Sequence, residues 1–275
     1  MIINGKKLAQ EILESLKEKR KQYENLKIAG FLIGKEKQEE KLSFLKIKQK
    51  FAKELDIEFR IYEIDENLGK KKIRKYISQI LKHKTIQGAI FQLPLPKKFP
   101  NQYLLNSIPA KKDIDCLSTK LLGKFYSDIP VIYPPAVGVV DFILKNFEIE
   151  VNGKNVLVIG YGKLIGKPLV HYFSNLDATV IVAQSQTKLE NFLKIADIIV
   201  SGVGKNNLIN DCKRNSILID FGYSFLNNKI KGDLNFEVLV KKASLITPTP
   251  NGTGPILVAK LFENFFKLLD YKLPI

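Results

Sequence analysis

The chain has 275 residues, 45% of them hydrophobic and 26% charged, a globular composition large enough for two ordinary domains. No apolar run reaches the roughly 18 to 20 residues that span a bilayer, and the N-terminus has no signal-peptide core, so a cytoplasmic protein without a membrane segment is expected. The net charge of +16 invites a nucleic-acid partner, but the lysines are scattered through many segments without interleaved aromatics, which reads as a lysine-rich surface favouring anionic substrates.

Leu8, Ala9, Ile12, Leu13 and Leu16 recur at helical spacing and predict an amphipathic helix over the first twenty residues. Ile28 to Ile33 reads as a short buried strand ended by Gly34, about Glu39 to Leu55 as a second helix, and Ile57 to Ile64 as an alternating strand. A helix over Lys71 to Leu81 leads to the strand Gly88 to Gln92. Strands alternating with helices predict an α/β domain with a mainly parallel sheet. The following LPLPKKFP has prolines at 94, 96 and 100, which remove backbone donors and exclude regular structure. At the carboxyl end of a parallel strand, such a loop is a candidate wall of a binding site.

Residues 113 to 135 are turn-rich and hold the expected domain boundary, placed at 118/119. Ala136 to Phe147 predicts a helix into a second α/β domain. There Val156 to Ile159, Thr179 to Ala183, Asp197 to Ser201 and Ser216 to Asp220 form a Rossmann-like series of strands. A last helix, about 256 to 269, is expected to pack back onto the first domain.

Between Gly160 and Pro168 the chain reads GYGKLIGKP, after an apolar strand and before the apolar residues of a helix. Gly160, Gly162 and Gly166 give G-x-G-x-x-x-G, one residue longer than the common dinucleotide fingerprint. Glycines there permit a tight turn and bring backbone N–H groups to a pyrophosphate, whose charge the helix N-terminus stabilises. Pro168 suits the first turn of that helix. No acid stands at the end of the second strand, where the chain reads Ala183-Gln-Ser-Gln-Thr187 with Lys163 and Lys188 as the cations on offer, so NADP and NAD both stay open.

In the first domain Phe44 and Lys48 are four apart on one helical face that Phe51 and Leu55 continue. The simpler reading of Lys48 is a snorkelling side chain; the sharper is a desolvated amine able to exchange protons. Gln92 closes an apolar strand, where a buried amide needs partners, and Asp115 lies in Lys112-Asp-Ile-Asp115, where one acid can cap a turn and the other point into a site. Two lone cysteines, Cys116 and Cys212, and two histidines, His83 and His171, argue against a disulfide framework and a catalytic metal.

The motifs Gly88-Ala-Ile-Phe-Gln-Leu-Pro-Leu-Pro96, Lys112-Asp-Ile-Asp115, Gly160 to Pro168, Gly232-Asp233 and Thr247-Pro-Thr-Pro-Asn-Gly-Thr-Gly-Pro255 occur in this order over nearly the whole chain. In them the sequence resembles the bifunctional methylenetetrahydrofolate dehydrogenase/methenyltetrahydrofolate cyclohydrolase family. The resemblance implies two α/β domains with a folate cleft between them, the second Rossmann-like and binding NADP, or NAD in its place. It also implies a homodimer formed largely through that domain, a tetrahydrofolate substrate and a place in one-carbon metabolism and purine biosynthesis.

It implies Lys48 as the catalytic lysine, Gln92 as the amide that positions it and Asp115 as the carboxylate that holds the pterin. Substrate contacts are implied at Phe44, Leu93, Pro94, Pro250, Gly252, Gly254 and Pro255. Dinucleotide contacts are implied at Gly160, Tyr161, Gly162, Lys163, Ile165, Gly166, Ser185, Thr187 and Gly204. Several positions depart from the family pattern: Phe44 stands for Tyr, Tyr161 for Arg and Gly162 for Ser. Tyr133-Pro-Pro-Ala136 stands for Pro-Cys-Thr-Pro, Asn251 for Gly and Leu257 for Thr. A monofunctional dehydrogenase and a non-catalytic binding protein are the alternatives these departures raise.

Overall fold

The structure, a computed structural model, describes residues 1–34, 38–226 and 229–271. The chain groups into two compact units, one of Glu11–Pro135 with the segment from Val258, the other of Met1–Gln10 with Ala136–Leu257.

In chain order the elements begin with α1 (Gly5–Arg20), β1 (Lys27–Ile33), α2 (Gln38–Glu54), β2 (Glu58–Ile64), α3 (Gly69–Lys82) and β3 (Gly88–Phe91), followed by the short helices α4 (Asn101–Leu105) and α5 (Thr119–Tyr126). The three strands pair in parallel in the order β2-β1-β3. β1 lies in the middle and is buried at six of its seven positions, the continuous apolar run of a strand covered on both faces. α3 buries Ile73, Ile77 and Leu81, a stripe at i, i+4 and i+8, against Phe31, Phe91 and Leu104.

α5 interrupts the stretch that the sequence marks as turn-rich. The Ser118 side chain accepts from Leu121 N and caps it, and only Leu121 and Phe125 are buried, an apolar period too short to stand out. α5 is tied to α4 because Thr119 N donates to Asn106 Oδ1 at 2.9 Å and Asn106 Nδ2 to Thr119 Oγ1 at 3.0 Å. The unit accordingly runs on to Pro135, beyond the boundary placed at 118/119.

The remaining elements are α6 (Pro135–Asn146), β4 (Asn155–Ile159), α7 (Gly166–Ser174), β5 (Thr179–Ala183), α8 (Glu190–Leu193), β6 (Ile198–Ser201), β7 (Ile217–Asp220), β8 (Ser224–Leu226), β9 (Lys229–Lys231), α9 (Phe236–Leu239), β10 (Leu245–Ile246) and α10 (Thr253–Asp270). Five of these strands form a parallel sheet in the order β10-β7-β6-β4-β5, and β8 and β9 pair antiparallel outside it. β4, apolar and buried beyond its first residue, and β6, buried throughout and apolar up to Ser201, occupy the centre. The chain's first residues join this unit: Ile3 N donates to Ile246 O at 2.9 Å and Gly5 N to Asn251 O at 2.9 Å.

α10 begins at Thr253, three residues before the sequence places it, because the Thr253 hydroxyl donates to Asp220 O at 2.6 Å and seats the first turn. From Val258 it belongs with β1 to β3. Phe262, Phe265 and Phe266 are fully buried, and the Phe265 ring lies where a side chain on Gly88 would stand, 2.7 Å from an added Cβ.

Candidate functional site

In the first unit, α2 presents half-buried Phe44 and, one turn on, half-buried Lys48. Gln92 follows β3 directly, and its backbone N–H continues the ladder by donating to Phe31 O at 2.9 Å. The Lys48 ammonium donates to Gln92 Oε1 at 2.9 Å, and Gln92 Nε2 donates to Leu93 O at 3.1 Å. Both ends of the buried amide are thus used, with its oxygen turned to the cation. Leu93 packs against the hydrophobic core and Pro94, joined to it by a cis peptide, is exposed.

Asp115 shares this electrostatic environment. Burial lowers the Lys48 pKa below its ordinary value, and the Asp115 charge opposes that shift. Burial raises the Asp115 pKa and the Lys48 charge opposes it in turn. Burial thus favours the uncharged form of each group, and the charge of the other opposes it.

The two acids of Lys112-Asp-Ile-Asp115 divide their work. Asp113 is buried, its Oδ2 accepts from Leu117 N at 2.9 Å and Ser118 N at 2.6 Å, and burial pushes its carboxyl up to about 7. It shapes the turn, in which Cys116 takes a left-handed φ of 55°. Burial, first, and the two flanking acids push the Cys116 thiol far up, so it is no nucleophile. Buried Lys112 anchors the turn by donating to Leu81 O at 2.6 Å and His83 O at 3.1 Å, a cation at the C-terminal end of α3.

In the second unit the glycine turn joins β4 to α7. Gly160 has φ 89°, and its N–H donates to Ala183 O at 2.8 Å. A Cβ on Gly166 would stand 2.0 Å from Gly160 O, so only glycine fits where the turn folds onto itself, whereas Gly162 has open space at its Cβ position. This is the cradle a pyrophosphate needs: an unobstructed backbone ahead of a helix N-terminus. Exposed Tyr161 lies beneath the Lys167 ammonium, 5.5 Å from the ring centroid, and Ile165 packs within 2.9 Å of the Cβ position of Gly202. Lys163 also lies in the turn.

After β5, Thr187 closes a small turn: Gln184 N donates to Thr187 Oγ1 at 2.9 Å and Thr187 N to Gln184 O at 2.9 Å. That leaves Ser185 exposed at the strand end, with no acid in the turn. The loop after β6, with Gly204 at φ 78°, is held by buried Asp233, which accepts from Ser201 Oγ at 2.6 Å, Val203 N at 2.8 Å and Lys205 N at 2.7 Å. Asp220 at the end of β7 is pushed up to about 7, by burial first and then by the Asp233 charge. Gly232-Asp233 stands out in the sequence as a motif; Ser201 and Asp220 do not, because an acid or hydroxyl ending a strand is an ordinary occurrence.

The segment before α10 also lies in the second unit. Thr249–Pro250 is cis, and buried Gly252 is packed so that a Cβ would meet Pro248 O at 2.3 Å. Asn251 has φ 75°, the left-handed conformation that asparagine tolerates best after glycine, which explains how it replaces one. Gly254, exposed, and Pro255 form the first turn of α10. The structure therefore brings Phe44, Lys48, Gln92, Leu93, Pro94 and Asp115 into one unit. Gly160 to Gly166, Ser185, Thr187, Gly204 and Pro250 to Pro255 lie in the other.

Comparison with known proteins accounts for this division. Residues 3–115 match the tetrahydrofolate dehydrogenase/cyclohydrolase catalytic domain and residues 134–273 match the NAD(P)-binding domain of the same family. The bifunctional protein FolD of Clostridium perfringens is 36% identical over 276 residues, covering 98% of this chain and 99% of its own. The crystal structure of the bifunctional FolD methylenetetrahydrofolate dehydrogenase/cyclohydrolase from Campylobacter jejuni superposes with a TM-score of 0.92 at 31% identity over 99% of both chains. The Trypanosoma brucei enzyme, solved with NADP and an inhibitor, gives 0.91 at 26% identity over 98% of this chain and 97% of that one.

Proposed function

The chain belongs to the tetrahydrofolate dehydrogenase/cyclohydrolase family, and from that premise we propose that it oxidises 5,10-methylenetetrahydrofolate with a nicotinamide dinucleotide and hydrolyses the methenyl product to 10-formyltetrahydrofolate. The observation that carries this reading is the Lys48–Gln92 hydrogen bond with Asp115 in the same electrostatic environment. The glycine turn of the second unit fits the dinucleotide, which supplies a hydride acceptor when bound.

Loss of hydride from the one-carbon bridge leaves a cation shared by two folate nitrogens, so oxidation asks chiefly for positioning. Asp115 suits that task, since a carboxylate accepts two hydrogen bonds from the amino-pyrimidinone edge of a pterin. Phe44 can stack on the ring system but donates no hydrogen bond. In the hydrolysis, water adds to the methenyl carbon and its first proton passes to the neutral Lys48 amine. The bond to N5 then breaks as that proton is returned to the nitrogen, while the carbinol hydroxyl loses its proton to solvent and becomes the formyl C=O. Gln92 holds the amine through both transfers. The lowered pKa of Lys48 makes its neutral form easier to reach than that of a solvated lysine.

NADP is the favoured cofactor, supported by the absence of an acid in the 184–187 turn and by the exposed Ser185; NAD is the alternative because Tyr161 replaces the family's Arg. A cytoplasmic homodimer serving one-carbon metabolism and purine biosynthesis completes the reading. The test is to mix the purified protein with 5,10-methylenetetrahydrofolate and either dinucleotide, following reduced nicotinamide and methenyltetrahydrofolate separately. Reduction without lasting methenyl supports both activities and names the cofactor. Persistent methenyl, the outcome that Phe44 and Tyr133-Pro-Pro-Ala136 would explain, limits the protein to the dehydrogenase step, and no reduction with either dinucleotide overturns the proposal.

A further inference from the structure

α10 reaches the Asp115 turn through a side chain that belongs to none of the motifs. Asn264 is 4% exposed, and its one Nδ2 amino group donates twice, to Ile114 O at 3.1 Å and to Tyr133 O at 2.8 Å. Both amide hydrogens are used. The two acceptors lie 150 and 131 residues away along the chain, so a single nitrogen fixes the spacing between the Asp115 turn and the Tyr133-Pro-Pro segment.

Planarity gives this anchor its reach. The Ile114 carbonyl lies in the same rigid peptide plane as the Asp115 N–H, so holding the oxygen sets the direction from which Asp115 departs. The exit is held as well, by the left-handed Cys116 and by Asp113, which accepts from Leu117 N and Ser118 N. Likewise the Tyr133 carbonyl shares its plane with the nitrogen of Pro134. Removing Asn264 would free one side of Asp115 while leaving the other in place.

We propose that Asn264 is a positioning residue for Asp115, acting through the Ile114–Asp115 peptide so that the carboxylate is preset for the amino-pyrimidinone edge of a reduced folate. The proposal rests on the folate reading of the site. A carboxylate already held in place needs no further ordering when the substrate arrives, and that saving is read as affinity. The residue touches no reacting atom, so its loss should weaken folate binding and leave the dinucleotide alone.

Asn264→Asp keeps the shape, removes both donors and sets a carboxylate oxygen against two carbonyls. In the full-length protein, tetrahydrofolate affinity by calorimetry and the KM values for 5,10-methylenetetrahydrofolate and the dinucleotide are measured together, with titrations carried to millimolar. Expected are a loss of at least about tenfold in tetrahydrofolate affinity, a matching rise in folate KM and a dinucleotide KM within about twofold of the parent. In an Asp115→Asn background the same substitution should add less than about threefold, because the group it positions is already altered.

A folded Asn264→Asp protein that binds tetrahydrofolate as the parent does overturns the proposal, as does a loss repeated in full in the Asp115→Asn background. If Asn264→Asp does not fold, Asn264→Ser, which keeps one donor and brings no charge, is judged by the same criteria. A parent protein that binds no tetrahydrofolate overturns the folate reading itself, an outcome separate from either of these.

Discussion

Lys48 and Gln92, on different elements and 44 residues apart, are joined by a hydrogen bond of 2.9 Å in which the ammonium donates to the amide oxygen. A charged lysine has no acceptor, so the amide presents its oxygen to the ammonium, and the bond from Gln92 Nε2 to Leu93 O keeps that orientation. The end of a buried strand thereby fixes the reach of a flexible side chain.

If Lys48 moves the proton in hydrolysis, Lys48→Met should lower methenyltetrahydrofolate hydrolysis by about a hundredfold or more, the usual size of a general acid–base contribution. Oxidation should fall far less. Assaying the two half-reactions separately decides it: a Lys48→Met protein that hydrolyses at the parental rate removes Lys48 from the mechanism.

Gln92→Glu places a carboxylate against the amine and favours its protonated form. The Lys48 pKa, held below its ordinary value in the parent, should rise. The ascending limb of the hydrolysis rate against pH should then move to higher pH. An unmoved limb would mean that another group controls the rate.

Gly162 and Gly166 separate folding of the glycine turn from ligand binding. Gly166→Ala drives a methyl into Gly160 O and should lower both Tm and dinucleotide affinity, whereas Gly162→Ala meets open space and should leave Tm unchanged. If that space receives the pyrophosphate, Gly162→Ala still raises the dinucleotide KM by about tenfold. Thermal melts alongside dinucleotide titrations give both readouts, and unchanged binding in Gly162→Ala would place the phosphates elsewhere.

Tyr161→Arg places after the first glycine the cation that the family resemblance implies there. The ratio of kcat/KM for NADP to that for NAD should rise by about tenfold or more, as a charge-assisted contact to a 2′-phosphate predicts. A ratio within twofold of the parent would show that this position does not face the ribose.

Asp113 and Asp220 are both pushed up to about 7 from 3.8 in the folded protein. Between those values the native state holds more protons than the unfolded chain, so stability falls as pH rises through the window and levels off above it. Tm measured from pH 5 to 8.5 at constant ionic strength should decline towards pH 7 and then flatten. Asp220→Asn, whatever its own Tm, should show a shallower decline, and an equal slope in the variant would assign the titration elsewhere.

Much of this could be read from the sequence because the signals are local. The strand–glycine–helix passage around Gly160 and the apolar run of β1 declare themselves within ten residues. The Lys48, Gln92 and Asp115 constellation could not be assembled by periodicity, since nothing in the spacing of residues 44 to 115 says which side chains converge. It emerged through motif resemblance. Lys112-Asp-Ile-Asp115 leaves open which acid is structural, and burial of Asp113 against two backbone N–H groups resolves it. Asn264 leaves no trace because one amide among the charged residues of an amphipathic helix looks the same whether it faces water or two distant carbonyls.

The shared membership of α1 and α10 constrains how the molecule can be made. Residues 1–10 emerge from the ribosome first, yet the Ile246 and Asn251 carbonyls they bond to come more than 200 residues later. The sheet of β1 to β3 likewise waits for Phe265 to cover Gly88 and for Asn264 to seize Ile114. Nascent chains halted anywhere before residue 246 should therefore stay open to protease in both halves, and protection of the two should arrive late and within a short stretch of further synthesis.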